Sequence, residues 1–391
     1  MEKQILILGA GYGGVKTACG LQRQDIPFTL VNDQPYHQFT TLMHEVAGGR
    51  DHPDDYRIAL HDLIDPRVGK IRIGTVSAID WKGRRVQVDG ASLEYDVLVV
   101  ALGSETEFFG IPGLQKYSVQ LWGFDSALDI RRRMVELVKK ATAEHPVNVI
   151  VGGGGLTGVE LTGELADWIP HLSRQYGVRP EHVHLILIEA METILPMLDV
   201  ELQRRAKQVL EQKGVQVRTG TKVAEVKDGQ VIVDGHPPLS YSLFIWTGGV
   251  RGNRLLGENG FPVDRKGRVP VDPVFHPKGI SDVFVIGDCA AFPGPDGRPL
   301  PPTAQLATQM GDHLAQNIGH LLKGTPLNAF HPHLRGTLAS LGRGQGIGKV
   351  GNWKLAGATA RFLKEANKAR YLWSIGGWKT FSRKRGQIRL A

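Results

Sequence analysis

Short runs of apolar residues recur along the chain, and two of them lead into the same spacing of glycines. The runs ILIL and VNVIV have the length and composition of buried strands, and each precedes a G-x-G-x-x-G motif and a segment with helix-compatible apolar spacing. The two motifs consist of Gly9, Gly11 and Gly14, and of Gly153, Gly155 and Gly158. Because a strand, a glycine turn and a helix in this order let dinucleotide phosphates reach the backbone, the chain predicts two dinucleotide-binding units.

Three further apolar segments predict the strands that join these units. Residues 95–113 and 241–253 each contain a buried strand that ends at glycine, and residues 282–290 end a strand at Gly287-Asp288, ahead of a helix that starts within residues 301–309. This order predicts an α/β fold with two Rossmann-like domains, the second nested within the first. The predicted limits are 1–112 and 266–328 for the first domain, 113–265 for the second, and 329–391 for a small C-terminal region.

The strand after each glycine helix ends in residues suited to a ribose. In the first unit these are Asn32 and Asp33, although both could simply form the turn before Pro35. In the second unit Glu189 ends the strand, and its carboxylate can accept from both ribose hydroxyls of NADH and would repel the extra phosphate of NADPH. The second unit is therefore predicted to bind NADH.

The distribution of charge along the chain is strongly uneven only near the C-terminus. The chain carries a net charge of +8, but residues 330–391 hold 13 lysines and arginines against a single acid, Glu365, while the upstream part holds 34 basic and 38 acidic residues. The basic surface is thus a property of the C-terminal region.

Within that region, residues 361–373 have helical spacing. An apolar stripe is formed by Phe362, Ala366, Ala369 and Trp373, and the charged residues Lys364, Glu365 and Lys368 are predicted to lie largely opposite it. Further aromatic and basic residues follow, namely Trp378, Phe381 and the run SRKRGQIR. A basic amphipathic helix with aromatic residues is typical of anionic membrane surfaces, but the stripe could also dock on the protein body.

The two cysteines exclude several kinds of site. Cys19 and Cys289 are far apart, which argues against a disulfide framework, a zinc ribbon and a dithiol centre, so no metal site is expected. No apolar run reaches the roughly 18 to 20 residues that span a bilayer, and the N-terminus shows no signal-peptide pattern.

Together these motifs resemble those of the two-dinucleotide-binding-domain flavoprotein reductases, over about residues 1–325. The segments AQLATQ after GDCA, WTGGVRGN and GTLASLGRG, with the basic aromatic C-terminus, look like those of the type II NADH dehydrogenases, which are peripheral NADH:quinone oxidoreductases. The resemblance implies non-covalent FAD in the first unit, NADH in the second, and electron transfer to a membrane quinone without proton pumping. The implied location is the cytoplasmic face of a bacterial cell membrane.

The resemblance also implies site residues. Asp288 would meet the ribityl chain of FAD, Val76 the adenine, and the N–H groups of Ala304 and Gln305 the flavin ring. The implied FAD site comprises Gly9, Gly11, Tyr12, Gly13, Gly14, Asn32, Asp33, Val76, Gly103, Asp288, Ala304, Gln305 and Lys364. The implied NADH site comprises Gly153, Gly155, Gly158, Glu189 and Gly249.

The expected quinone residues are Gln305, Gln309 and Lys364. The two glutamines are four residues apart on one helix face, and neutral amide donors suit a quinone carbonyl better than a charged group would; the alternative is a pair of solvated side chains. Lys364 is assigned by the resemblance, since the helical wheel places it towards solvent.

Glu164, four residues after Glu160, is the expected catalytic residue. The resemblance places it near the flavin and the nicotinamide, where a carboxyl group with a raised pKa could relay a proton. The alternative is that both glutamates are ordinary acids on a helix surface.

The expected partners are NADH, a membrane quinone and an anionic membrane surface, with homodimer formation left open and no nucleic acid. Two other functions fit the sequence less well. One is a soluble NAD(P)H reductase that passes electrons to a small iron protein through its basic tail, and the other is a basic flavoprotein that binds nucleic acid.

Overall fold

Two parallel five-stranded β-sheets with matching strand order form the centre of the molecule. The computed structural model describes residues 3–383, with side chains as far as residue 377. The first sheet has the order β21 (Val283–Val285), β9 (Val97–Val100), β1 (Ile5–Leu8), β2 (Phe28–Asn32) and β5 (Gly69–Ile73). The second has the order β11 (Val119–Gln120), β18 (Leu243–Trp246), β12 (Val147–Gly152), β13 (Val183–Ile188) and β14 (Gln216–Arg218).

In both sheets the central strand is an apolar run that leads into a glycine motif. All residues of β1 are buried. The residues of β9, which pairs with β1, and of β18, which pairs with β12, are also all buried, because helices cover both faces of a parallel sheet. The strand that follows each glycine helix, β2 or β13, pairs on one side of the central strand, and β9 or β18 pairs on the other. The predicted α/β fold with two Rossmann-like units is therefore confirmed, whereas the exact domain limits stay predictions.

Smaller antiparallel sheets and ribbons surround the two main sheets. Three of them have three strands: β6 (Val76–Asp80), β7 (Arg85–Val88) and β8 (Ala91–Glu94); β15 (Val223–Lys227), β16 (Gln230–Val233) and β17 (Leu239–Ser240); β23 (Gly336–Ser340), β24 (Gly346–Val350) and β25 (Trp353–Gly357). Paired strands are β3 (Tyr36–Gln38) with β4 (Arg57–Ala59), β10 (Ser104–Thr106) with β19 (Val250–Gly252), and, in parallel, β20 (Val269–Pro270) with β22 (Ala290–Ala291).

The described residues also form ten α-helices. They are α1 (Tyr12–Gln22), α2 (Met43–Ala47), α3 (Leu60–Leu63), α4 (Leu114–Tyr117), α5 (Phe124–Lys140), α6 (Leu156–Tyr176), α7 (Val200–Gln212), α8 (Arg254–Glu258), α9 (Ala304–Leu322) and α10 (Ala358–Arg383). In the part of the chain that the structure covers, no helix is long and apolar enough to cross a membrane.

The C-terminal region consists of the sheet β23–β25 and helix α10, and it packs on both nucleotide units. Helix α10 runs past α1, where Lys16 donates to the carbonyl oxygen of Ser374 at 3.2 Å and the Cys19 thiol donates to that of Ile375 at 3.2 Å. Just beyond, the helix is interrupted at Gly377, whose φ angle is +57°. The predicted residues Trp378 and Phe381 lie outside the described side chains, and most of the run SRKRGQIR lies beyond residue 383.

Candidate active site

The two glycine loops have the same geometry. Gly9 and Gly153 have φ angles of +97° and +108°, which residues with a side chain rarely adopt. In each motif, a Cβ on the third glycine would collide with the carbonyl oxygen of the first. At the middle glycines, Gly11 and Gly155, a Cβ would meet no atom within 4 Å. Each loop is therefore tightly packed on the protein side and open where a phosphate would approach.

The residues predicted to hold ribose also support the glycine loops. The side-chain oxygen of Asn32 accepts from the N–H of Ala10 at 2.7 Å, and its amide donates into the following turn. Glu189 accepts from the N–H groups of Gly154 at 2.5 Å and Met191 at 2.8 Å. Each side chain thus fixes a loop from the end of the neighbouring strand, and the predicted ribose contacts stay predictions.

Asp288 lies beside the loop that follows β9. The hydroxyl of Ser104 donates to its carboxylate at 3.0 Å, and burial raises the pKa of Asp288. Gly103 has a φ angle of +71° and open space at its Cβ position. Asp33 is exposed at the end of β2, and Val76 is half-buried at the start of β6.

The N-terminus of α9 lies next to the first glycine loop. Thr303 caps the helix by accepting a backbone N–H of the first turn at 3.2 Å. The first N–H groups of a helix have no acceptor within it, so those of Ala304 and Gln305 are directed outward from the helix end. The Cβ position of Gly13 lies 3.5 Å from the carbonyl oxygen of Ala307. A helix N-terminus thus lies close to the predicted FAD loop, where it would favour negative charge.

Gln305 and Gln309 share one helix face, and both bind the backbone of His333. Their amide groups donate to the His333 carbonyl at 3.1 and 3.0 Å, and the Gln309 oxygen accepts the His333 N–H at 2.9 Å. Both side chains are half-buried. The alternative of two freely solvated glutamines is therefore wrong, while the predicted quinone contact stays a prediction.

An aromatic group joins α10 to the first glycine loop. His37 contacts the carbonyl oxygen of Ala10 through Nδ1 at 2.7 Å, so Nδ1 carries a hydrogen and Nε2 accepts the Tyr371 hydroxyl at 3.0 Å. Burial lowers the pKa of His37 to about 4, which keeps the ring neutral. The ring of Tyr12 lies 4.7 Å from that of Tyr371, and its hydroxyl is 2.7 Å from Thr41.

Lys364 lies inside the protein, between α10 and α6. Its ammonium group donates to Glu160 and, at 3.2 Å, to Nε2 of His44. The other ring nitrogen of His44 lies 3.4 Å from Glu160, which also accepts the N–H of Ser340 at 2.9 Å. The Ser340 hydroxyl is 3.5 Å from Glu164. Among the described residues, these hydrogen bonds are separate from those of the glutamine pair.

Arg50 holds Glu164 from the other side. Two guanidinium nitrogens donate to the two carboxylate oxygens of Glu164, one of them at 2.9 Å, and a third lies 3.1 Å from Glu45. The same guanidinium is 4.0 Å from Glu365 of α10, and Lys368 of α10 is 3.8 Å from Glu45. Glu160 and Glu164 are only 7% and 1% exposed, so the alternative of surface acids is wrong.

These side chains form one buried charge cluster, in which four carboxyl groups meet three permanent cations. Its members are His44, Glu45, Arg50, Glu160, Glu164, Lys364, Glu365 and Lys368. Burial lowers the pKa of His44 well below its ordinary value, so this ring does not supply a fourth positive charge. In the described part of the chain, no three or more histidines, cysteines or acids are placed to hold a metal ion.

Burial acts on the carboxyl groups of the cluster unequally. It raises the pKa of Glu164 to about 7 although Arg50 opposes it, and it also raises those of Glu160 and Glu365. Burial alone would raise the pKa of Glu45 too, but Lys368 and Arg50 hold it below its ordinary value. The cluster can therefore retain a proton near neutral pH, and Glu164 is one place for it.

The charged residues of α10 lie opposite the aromatic residues of the stripe, as predicted, but this face packs on the protein and not towards solvent, where the helical wheel placed Lys364. Glu365 and Lys368 are buried against the cluster, whereas Phe362 and Trp373 of the apolar stripe are about half exposed, at 50% and 53%. The reason is that α2 and α6 present charges to α10, so the helix pairs with them through its charged face. The alternative in which the apolar stripe docks on the body is also wrong at its two aromatic residues.

Six members of the cluster were not predicted to be site residues: His44, Glu45, Arg50, Glu160, Glu365 and Lys368. The segment MHEVAGGR offered a signal, since it places charged and titratable residues in a short helix otherwise formed by apolar ones. Apart from the pair of Glu45 and Arg50, their partners lie more than 100 residues away, which no local pattern reveals.

Comparisons with known proteins agree on the kind of molecule. The family model for pyridine nucleotide-disulphide oxidoreductases matches residues 3–311. Proteins named type II NADH:quinone oxidoreductase from Staphylococcus saprophyticus and Staphylococcus epidermidis are 36% and 34% identical to the chain, with 96% of each chain covered.

Two solved structures share the fold at 20% identity. One is NDH2 from Plasmodium falciparum in complex with NADH, with a TM-score of 0.89 over 98% of this chain and 97% of the other. The second is the sulfide:quinone oxidoreductase from Aquifex aeolicus, with a TM-score of 0.80 over 96% and 91%. Both cover the C-terminal region as well as the nucleotide units.

Proposed function

The chain belongs to the pyridine nucleotide-disulphide oxidoreductases and, among them, to the type II NADH:quinone oxidoreductases, and we propose that it works as a peripheral protein on a membrane surface. It is an FAD-dependent enzyme that uses NADH to reduce a quinone. We further propose that the quinone is dissolved in the membrane, that the enzyme binds from the cytoplasmic side of a bacterial cell, and that it pumps no protons. The alternative of an iron-protein reductase is set aside, and homodimer formation stays a prediction.

The residues present fit both nucleotides. Open space at Gly11, beside buried Asp288 and the N-terminus of α9, supports FAD at the first loop. Open space at Gly155, beside Glu189, supports NADH at the second loop. Gly249 follows the end of β18 closely in sequence. When bound, FAD takes the hydride of NADH and passes two electrons to the quinone.

For the quinone itself we propose Gln305, Gln309, Lys364 and Glu164. The Gln305 amide donates one hydrogen to His333, so its second hydrogen could serve a quinone carbonyl. The Gln309 amide donates to the carbonyl oxygens of both His333 and Gln305, and it would exchange the longer contact with Gln305, at 3.3 Å, for a quinone carbonyl. Glu164 is supported by its burial, which allows the carboxyl to keep a proton near neutral pH.

The observation that carries the membrane proposal is the orientation of α10. Phe362 and Trp373 are eleven residues apart, which is three helical turns, so they lie on the same face, and both are exposed although they are large and apolar. Trp353, at the start of β25, is 78% exposed. Aromatic side chains presented in this way beside a strongly basic segment suit the interface of an anionic bilayer.

Flotation with vesicles that contain an anionic lipid tests this proposal. We expect the double variant Phe362→Ser/Trp373→Ser to lose at least about tenfold in vesicle association, because burial of one large apolar side chain contributes about 1.5 to 3 kcal/mol. Phe109→Ser, at an exposed phenylalanine outside the C-terminal region, is the matched control and should float like the wild type. Equal flotation of all three proteins would remove α10 from the membrane contact.

A further inference from the structure

Arg50 is placed to act on Glu164 without belonging to any predicted site. It follows α2, and its side chain is only 10% exposed. It makes a two-pronged contact with Glu164 and, with its remaining nitrogen, lies 3.1 Å from Glu45. One cation thus serves two buried carboxyl groups that are in competition for it.

We propose that Arg50 is a positioning residue, shared between Glu45 and Glu164, which determines how readily Glu164 holds and releases the proton used in quinone reduction. This inference rests on the proposed role of Glu164 in the quinone reaction. Glu45 competes with Glu164 for Arg50. A closer contact between Arg50 and Glu45 leaves the negative charge of an ionised Glu164 less well neutralised.

The proton balance shows where such control acts. The overall reaction, NADH + H⁺ + quinone giving NAD⁺ + quinol, moves two electrons and takes one proton from water. In the proposed step the O–H bond of Glu164 breaks as an O–H bond forms on the quinone, and the resulting carboxylate is stabilised by Arg50. Glu164 then regains a proton from water, which returns the cluster to its initial charge.

Several other charged or titratable groups surround Glu45 and Glu164, and they also influence the titration of these two carboxyl groups. They are His44 on α2, Glu160 on α6, Lys364, Glu365 and Lys368 on α10, and Tyr56. Because they stay in place, substitutions of Arg50 and Glu45 isolate the shared contact.

The two substitutions are expected to act in opposite directions. Arg50→Met removes the cation that favours ionised Glu164, so the midpoint of its titration should rise by about one pH unit or more. Glu45→Gln removes a nearby negative charge and frees Arg50 for Glu164, so the midpoint should fall by about one unit. Arg50→Lys keeps the charge without the two-pronged geometry, and its shift should be smaller than that of Arg50→Met.

Infrared titration of the FAD-loaded enzyme measures this directly. The carbonyl band of the protonated carboxyl that is lost in Glu164→Gln reports Glu164, and its pH midpoint is compared among the variants. FAD content and bleaching of the flavin absorbance by NADH show that each variant is folded. If Arg50→Met does not fold, Glu45→Gln and Arg50→Lys still carry the test.

The outcomes separate this inference from the proposed function. Opposite midpoint shifts for Arg50→Met and Glu45→Gln support the sharing of Arg50, whereas shifts of the same sign, or no shift, overturn it. If instead Glu164→Gln leaves flavin reoxidation by a water-soluble quinone unchanged at every pH, the role of Glu164 in the reaction fails. The infrared result would then still stand as a property of the cluster.

Discussion

At the residue scale, burial and an arginine act on the carboxyl of Glu164 in opposite directions. Burial outweighs Arg50 and raises its pKa to about 7, so this group exchanges its proton near neutral pH. Below that value the carboxyl is protonated and can donate, and above it the carboxylate cannot. An exposed glutamate would be ionised throughout this range.

We therefore expect flavin reoxidation by a water-soluble quinone to slow by about tenfold between about pH 6 and about pH 8, since the protonated fraction of a group with this pKa falls by that factor. Stopped-flow absorbance measures the rate after reduction by NADH. Glu164→Gln should be slow and nearly independent of pH, whereas Glu211→Gln, at an exposed glutamate, should keep the wild-type profile. A pH profile that persists in Glu164→Gln would assign the titration to another group.

The glutamine pair shows what sequence reasoning reaches at this scale and where it stops. The spacing of Gln305 and Gln309 correctly placed them on one face of a helix that begins after Thr303. Their common partner is the backbone of His333, and a backbone group has no side-chain signal in the sequence. Side-chain chemistry can therefore be anticipated from local spacing, but its partners across the fold cannot.

At the scale of elements, α10 was correctly predicted as a helix whose charged residues lie opposite its apolar stripe, but the helical wheel placed Lys364 towards solvent, whereas this face packs on the protein body. A helical wheel assumes that a helix docks through its apolar face, and that assumption fails where the receiving surface is charged. Glu365 and Lys368 are buried because they lie against Arg50 and Glu45 of the protein body, which carry the opposite charges.

The docking of α10 should depend strongly on Lys364, which pairs with the buried Glu160. Lys364→Met would leave Glu160 buried without its cation, and breaking such a pair typically costs about 3 to 5 kcal/mol. We expect faster amide hydrogen exchange along α10, measured by mass spectrometry. The double variant Lys364→Met/Glu160→Gln should recover most of the protection, because it leaves no unpaired charge.

Arg370→Met is the matched control for this experiment. Arg370 is exposed and contacts only the neighbouring Asn367 side chain among the described hydrogen bonds of its guanidinium group. Its replacement should leave exchange in α10 close to that of the wild type. Equal effects at Lys364 and Arg370 would mean that the buried pair does not hold the helix.

At the scale of the whole molecule, the C-terminal region connects both nucleotide units. Helix α10 contacts the first unit through Tyr371 and through its carbonyl groups at α1, while β24 and β25 reach α7 of the second unit. The latter contacts are the ion pairs Lys349–Asp199 at 3.3 Å and Lys354–Glu201 at 2.8 Å, which are largely exposed and contribute little to stability. Lys364 and the N–H of Ser340 also bind buried Glu160 of α6, which belongs to the second unit, so the region is tied to both units.

Removal of FAD should consequently affect more than the cofactor site. A ligand that binds only the folded state stabilises it by about 4 kcal/mol at a thousandfold excess over its Kd, so the FAD-free protein should melt at a lower temperature and recover when FAD is added. Hydrogen exchange should also increase at residues 371–375, which contact α1 and Tyr12, and stay nearly constant in β15–β17 of the second unit. An increase confined to the glycine loop would show that α10 does not respond to the cofactor.

Because α10 packs on the protein through its charged face, the positions at which it tolerates substitution differ from those of most amphipathic helices. In most amphipathic helices the charged positions vary freely and the apolar positions are constrained. Here Lys364, Glu365 and Lys368 are constrained by partners on α6, on α2 and in the segment that follows α2, whereas Phe362 and Trp373 are about half exposed. The requirement to fold therefore constrains the charged positions most strongly, and the proposed contact with a lipid surface would add a constraint on the aromatic positions.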